Sequence, residues 1–83
     1  MNMKISDMKP GEIGKVIGYE PGSRAYRQKL LRMGLVRGCR FTLLRMAPLG
    51  DPVELELNSH KLTIRKSEAD ALIVEKENDN AER

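Results

Sequence analysis

From Val53 to Asn58 the chain alternates without a break: Val53, Leu55 and Leu57 are apolar, Glu54, Glu56 and Asn58 polar. A period of two gives a strand with one buried face and one solvated face. Asn58-Ser59-His60 leaves only a short hairpin connection before Leu62 and Ile64 alternate with Thr63 and Arg65 on a returning strand. The other apolar runs are equally short, and no connection between them has room for a crossover helix. Such a chain of 83 residues is predicted to be mainly β: about five short strands in a small antiparallel barrel, closed or partly open, closure being what removes aggregation-prone edges.

The remaining elements follow from punctuation. Ile5 and Met8 are spaced to tuck an entry segment onto the core, and Lys9-Pro10-Gly11-Glu12 has a type II turn signature. Ile13 to Glu20 reads as a first strand, with Gly14 and Gly18 on one face, where glycine permits curvature or the close approach of another backbone. Pro21-Gly22-Ser23 ends it. Ser23 is an expected N-cap, and Gly22 just before it needs no positive φ. In the helix Ser23 to Met33, the residues Tyr26, Leu30 and Met33 form a buried stripe, while Leu31 falls ~100° from Leu30, among Arg24, Arg27, Gln28 and Arg32. Gly34 and Leu35 have the form of a Schellman stop facing Leu30.

Val36-Arg37-Gly38-Cys39 is a second turn, leading into a strand from Cys39 to Ala47. There Phe41 and Leu43 share one face, Leu44 and Met46 the other, which predicts a bulge or a strand shared between two barrel sheets. Pro48-Leu49-Gly50-Asp51-Pro52 is a proline-flanked turn. Ser67 to Asp70 has capping-box spacing for a single helical turn before a last strand, Leu72 to Val74. The order is β–α–β–β–β–turn–β, with residues 1–76 one domain and 77–83 a polar tail expected to be disordered.

Cys39 is the only cysteine and His60 the only histidine, 21 residues apart. That excludes an internal disulfide and leaves no zinc ligand set, so no metal site and no cofactor are expected. Cys39 reads as a packing residue and His60 as a solvated hairpin residue. No nucleophile elbow, phosphate loop or HExxH is present, so the protein is not expected to be an enzyme or to have a small-molecule substrate. No run approaches the ~18 apolar residues of a membrane span, and MNMKISDMK lacks a signal peptide's apolar stretch. A cytoplasmic protein, not itself membrane-inserted, is expected.

The formal charge of +3 is unevenly spread: seven basic residues and no acidic one lie between Arg24 and Met46. Such a run suits nucleic acid, anionic lipid or an acidic protein surface. Small barrels that bind single strands rely on aromatic stacking platforms. Here the aromatics are Tyr19, Tyr26 and Phe41, and Tyr26 and Phe41 are assigned to the core, which argues against nucleic acid. Leu31 among arginines resembles an apolar anchor with a basic rim. The predicted interaction residues are therefore Arg24, Arg27, Leu31 and Arg32 of the helix, with Leu49, Gly50 and Asp51 of the turn.

AYRQKLLRMGL, RGCRFTLLRMAPLGDPVELEL and KLTIRKSEADALIVE, taken together from about Ile5 to Glu75, resemble the FeoA family of ferrous iron transport accessory proteins. The most specific part is APLGDP (Ala47 to Pro52) at its distance after Leu30 to Leu35. Arg37 departs from the pattern, the family usually having proline before Gly38. The resemblance implies an SH3-like barrel, a cytoplasmic location with recruitment to the inner face of the membrane, and docking on FeoB, the membrane iron permease with a cytoplasmic G-protein domain. An SH3-like barrel that binds RNA is the alternative.

Overall fold

The computed structural model of the protein describes residues 3–77. The alternating segment pairs as its pattern requires. Strand β3 (Val53–Leu57) turns through Asn58 and Ser59 into β4 (His60–Ile64), with Leu55 opposite Leu62 and Leu57 opposite His60. Both turn residues have positive φ, 52° and 69°, the backbone of the turn that matches strand twist. Strands β1 (Ile13–Tyr19), β2 (Arg40–Met46) and β5 (Leu72–Lys76) complete one antiparallel sheet in the order β4-β3-β2-β1-β5. Helix α1 (Arg24–Arg32) follows β1, and the one-turn helix α2 (Lys66–Asp70) precedes β5.

Two bulges curl this sheet. Ile17 is an extra residue on β1 against β5, and Leu44 an extra residue on β2 against β3. Each bends its strand and increases its twist. Leu44 is the position where the apolar pattern of β2 changes face, so that pattern records the bulge. The result is a partly open SH3-like barrel. Strands β4 and β5 do not pair with each other; α2 connects them instead. Met3 pairs with Val74 on the far side of β5, the two exchanging hydrogen bonds of 2.9 and 2.8 Å.

The inner faces of the strands bury Val16, Phe41, Leu43, Val53, Leu55, Ile64, Leu72 and Val74, sealed at the ends by Ile5, Met8, Leu30 and Leu35. Gly14 lies on the inner face for a reason different from the expected one. A Cβ there would come 2.6 Å from Phe41 Cζ, so the glycine admits an aromatic ring rather than another backbone. At Gly18 a Cβ would meet nothing within 4 Å.

Several local expectations are corrected. Tyr26 is not core: it is 42% exposed, and Leu30 is the residue of α1 that the barrel buries. Ser23 does not cap the helix with its side chain, since its Oγ donates to the Glu20 carbonyl at 2.6 Å. Gly22 does have positive φ, +84°. The cap of α2 is made two residues earlier than Ser67 would make it: the Arg65 N–H donates to Glu68 Oε1 at 2.9 Å. The same device recurs where the Lys4 N–H donates to Asp7 Oδ2 and the Lys9 N–H to Glu12 Oε1. Glu77, the first residue of the predicted tail, donates its N–H to the Ile13 carbonyl at 2.8 Å and pairs with Arg40 Nε at 3.4 Å. Residues 78–83 of that tail lie outside the described residues.

Candidate docking surface

Helix α1, RAYRQKLLR, contains no glycine, proline or β-branched residue, so intrinsic propensity favours it throughout. Lys29 and Arg32 in its last turn complement the helix dipole. Its stop is a Schellman motif: the Gly34 N–H donates to the Leu31 carbonyl at 3.0 Å and the Leu35 N–H to the Leu30 carbonyl at 2.9 Å. Leu30 is the only buried residue of the helix. Everything else on α1 is therefore available to hold the helix sideways or to meet a partner.

The two flanks of α1 do different things. On one, Lys29 Nζ lies 2.6 Å from Glu68 Oε2, whose side chain is only 6% exposed. Burial pushes the Glu68 carboxyl up, but the Lys29 ammonium and the Arg65 N–H outweigh it and hold the group below the usual carboxylate range. On the other flank the Arg27 guanidinium lies over the Tyr19 ring, 5.9 Å from its centroid. The Tyr19 hydroxyl donates to the Leu35 carbonyl at 2.8 Å. Burial raises the phenol above its ordinary value, opposed by the charges of Arg37 and Arg27. Helical geometry puts Leu31 and Lys29 ~200° apart. Leu31 thus belongs with Arg24 and Arg27, away from the Lys29–Glu68 side, and Arg32 points outward.

The proline-flanked tip is ordered by its own backbone. The Gly50 N–H donates to the Ala47 carbonyl at 2.8 Å and the Ala47 N–H to the Pro52 carbonyl at 3.0 Å. Asp51 Oδ1 accepts from the Lys66 N–H at 3.1 Å, so this side chain ties the tip to the start of α2. Leu49 is the outlier: φ is 69°, in the left-handed region, and the residue is 93% exposed. Between the tip and α1 lies an open groove of about 420 Å³, lined by Lys29, Asp51, Pro52, Ile64 and Glu68.

The predicted interaction residues therefore fall into two groups rather than one. Arg24, Arg27 and Leu31 share a flank with Arg32 at its margin, and Leu31 is 43% exposed. Leu49, Gly50 and Asp51 lie across the helix, on the side reached by Lys29 and α2. Val36, equally exposed, stands just past the helix stop, next in the chain to the buried Leu35, a residue that the sequence had placed merely in a turn. Cys39 is half-buried and its thiol is pushed up by burial, which makes it a poor nucleophile. His60 is exposed at the hairpin. Among the described residues no three His, Cys, Asp or Glu side chains stand together as a metal would require, and no helix is long and apolar enough to cross a membrane.

A family model described as the FeoA domain matches residues 3–76. The Fe(2+) transport protein A/Fe(2+) transporter FeoB fusion protein of Porphyromonas gingivalis is 30% identical over 79 residues, covering 95% of this chain. The chain spans only 9% of that relative's length. Among solved structures, a FeoA-like protein from Clostridium acetobutylicum superposes with a TM-score of 0.82 at 34% identity, covering 99% of this chain and 94% of that one. The FeoA protein of Chlorobium tepidum gives 0.74 at 42% identity, over 89% and 70% of the two chains.

Proposed function

The chain belongs to the FeoA domain family, and from that premise we propose that it is a non-enzymatic, cytoplasmic accessory protein that supports ferrous iron uptake by docking on the cytoplasmic part of a FeoB-type transporter. The observation that carries this reading is the relative in which a segment similar to 95% of this chain is joined in one polypeptide to an Fe(2+) transporter. Covalent joining sets a high effective concentration of one partner beside the other, which is useful when the two act in contact. A separate chain reaches the same place only by presenting a surface of its own.

Leu31 and Leu49 support such a surface. An exposed leucine rimmed by arginines has the composition of an interface centre with a polar margin. Leu49 stands on a tip whose backbone is already fixed, so little ordering is lost on contact. RNA binding has less support. Phe41 is 2% exposed and Tyr19 is engaged by Leu35 and Arg27, leaving Tyr26 as the one open ring among the described aromatic residues.

The test is ferrous iron uptake in a cell lacking its own copy, together with affinity purification of the transporter under low iron. Leu31→Glu is expected to keep its thermal midpoint, to lose the transporter on purification and to fail in uptake. A folded Leu31→Glu that purifies with the transporter and restores uptake in full overturns the role of the helix face. A wild-type protein that purifies without the transporter overturns the docking reading itself.

A further inference from the structure

Ion pairing engages some of the basic residues of this protein, Arg40 among them, which meets Glu77 at 3.4 Å. Lys4, Lys29, Lys66 and Lys76 each hold a carboxylate, at 2.9, 2.6, 3.0 and 2.9 Å. Arg24, Arg27, Arg32 and Arg37 are all exposed, and none forms an ion pair among the described residues. These four come together through the fold. Three lie on α1, and Arg37 follows closely on Leu35, whose carbonyl accepts from the hydroxyl of the same Tyr19 ring that Arg27 covers. Leu31 on α1 and Val36, the residue before Arg37 in the chain, are exposed apolar residues, each 43% exposed. Glu20, the acidic residue nearest the start of α1 in the chain, is neutralised by Lys4.

We propose that this flank is a peripheral membrane contact: Arg24, Arg27, Arg32 and Arg37 bind the phosphates of an anionic lipid surface, with Leu31 and Val36 entering the headgroup layer. A guanidinium is weakly hydrated and offers a planar fork that matches phosphate oxygens. Arginines around two apolar side chains have the make-up of an interfacial contact. The shape selects the surface. An exposed helix is a convex ridge, and a fluid layer of headgroups conforms to a ridge, whereas a folded acidic protein must supply a matching trough. The contact would hold the protein against the inner leaflet with the Leu49 tip, across α1, free, and Leu31, which the docking reading sets against the transporter, would pass from lipid to transporter on docking.

The experiment is sedimentation with large vesicles that contain no transporter, so its outcome is independent of the docking reading. The full chain is mixed with vesicles of phosphatidylcholine, with or without about a quarter phosphatidylglycerol, at low and at high salt. Binding is expected only to the anionic vesicles and is lost at high salt, since screening shortens the reach of surface charge. Each arginine brought to such a surface is worth roughly a factor of five. The double variant Arg27→Gln/Arg37→Gln should therefore weaken binding about twentyfold, whereas Arg45→Gln/Lys61→Gln, the same charge loss elsewhere on the surface, should change it less than about threefold. Thermal midpoints establish that both variants are folded. No binding to anionic vesicles overturns the proposal, and so does an equal loss in the two double variants, which would reduce the effect to net charge.

Discussion

The Leu35 N–H donates to the Leu30 carbonyl at 2.9 Å, and both leucines are fully buried. This one bond ends α1, turns the chain through Gly34 at φ +94° and returns it to the barrel. Gly34→Ala should destabilise by ~1–2 kcal/mol through the left-handed penalty on a Cβ, with a further cost because that Cβ would lie 3.2 Å from Leu57 Cδ2. Gly22→Ala would be milder if a position before an N-cap needed no positive φ, but φ there is +84°. It should share the backbone penalty and, with nothing within 4 Å, lack the packing cost. Urea midpoints check the order wild type, Gly22→Ala, Gly34→Ala; equal midpoints for Gly34→Ala and wild type would refute the helix stop.

A second pair, Gly14 and Phe41, tests how tightly the barrel is filled. A Cβ at position 14 would sit 2.6 Å from Phe41 Cζ and 3.1 Å from the Met8 side chain. Gly14→Ala overpacks this end of the core and should cost ~1–3 kcal/mol. Gly18→Ala, on the same strand with open space around it, should cost less than half as much. Thermal denaturation of both variants decides the matter.

These two glycines show where the sequence was legible. Turn chemistry at Lys9–Glu12 and Val36–Cys39, the helix stop and the β3–β4 hairpin all depend on residues close in the chain, and each has the hydrogen bond or φ that its residue types require. The bulge at Leu44 was readable because it interrupts a period of two. What was not readable is set by distant partners. Whether Tyr26 is buried depends on how α1 leans on the barrel, and the cap of α2 depends on a carboxylate also bound by Lys29. The candidate site divides likewise: exposure of Leu31 follows from helical angle, but its separation from the Leu49 tip follows from which flank of α1 faces α2.

The Lys29–Glu68 pair makes a pH prediction. The folded state holds the Glu68 carboxyl below its ordinary 4.5, so near that pH the unfolded chain binds the proton more readily than the folded one. The contribution is therefore fully present at neutral pH and is lost as pH falls from about 4.5 through the lower folded value. Lys29→Met leaves a buried carboxylate with one partner fewer and should cost ~1–2 kcal/mol at pH 7. Glu68→Gln should make the acid limb of stability against pH shallower. It will not flatten that limb, because Glu12 is also held low, by the Lys76 ammonium and then by the Lys9 N–H. An unchanged acid slope in Glu68→Gln refutes the assignment.

Leu49 offers the sharpest separation of stability from function. A leucine at φ 69° with 93% of its surface in water gains no burial to offset a left-handed backbone. That conformation costs an L-residue ~1–2 kcal/mol, which glycine avoids, less ~0.5–1 kcal/mol for the greater freedom of glycine in the unfolded chain. Leu49→Gly should therefore leave stability unchanged or raise it by up to ~1.5 kcal/mol, while removing the exposed apolar group that we place against the transporter. Strain kept at an exposed tip points to a role for the side chain itself. The expected outcome is a thermal midpoint at or above wild type with uptake of ferrous iron clearly impaired in a cell lacking its own copy. Leu49→Met, which keeps an apolar group on the same backbone, should restore most of the uptake at wild-type stability. A Leu49→Gly protein that is folded and transports as well as wild type would remove the tip from the docking surface and leave the strain unexplained.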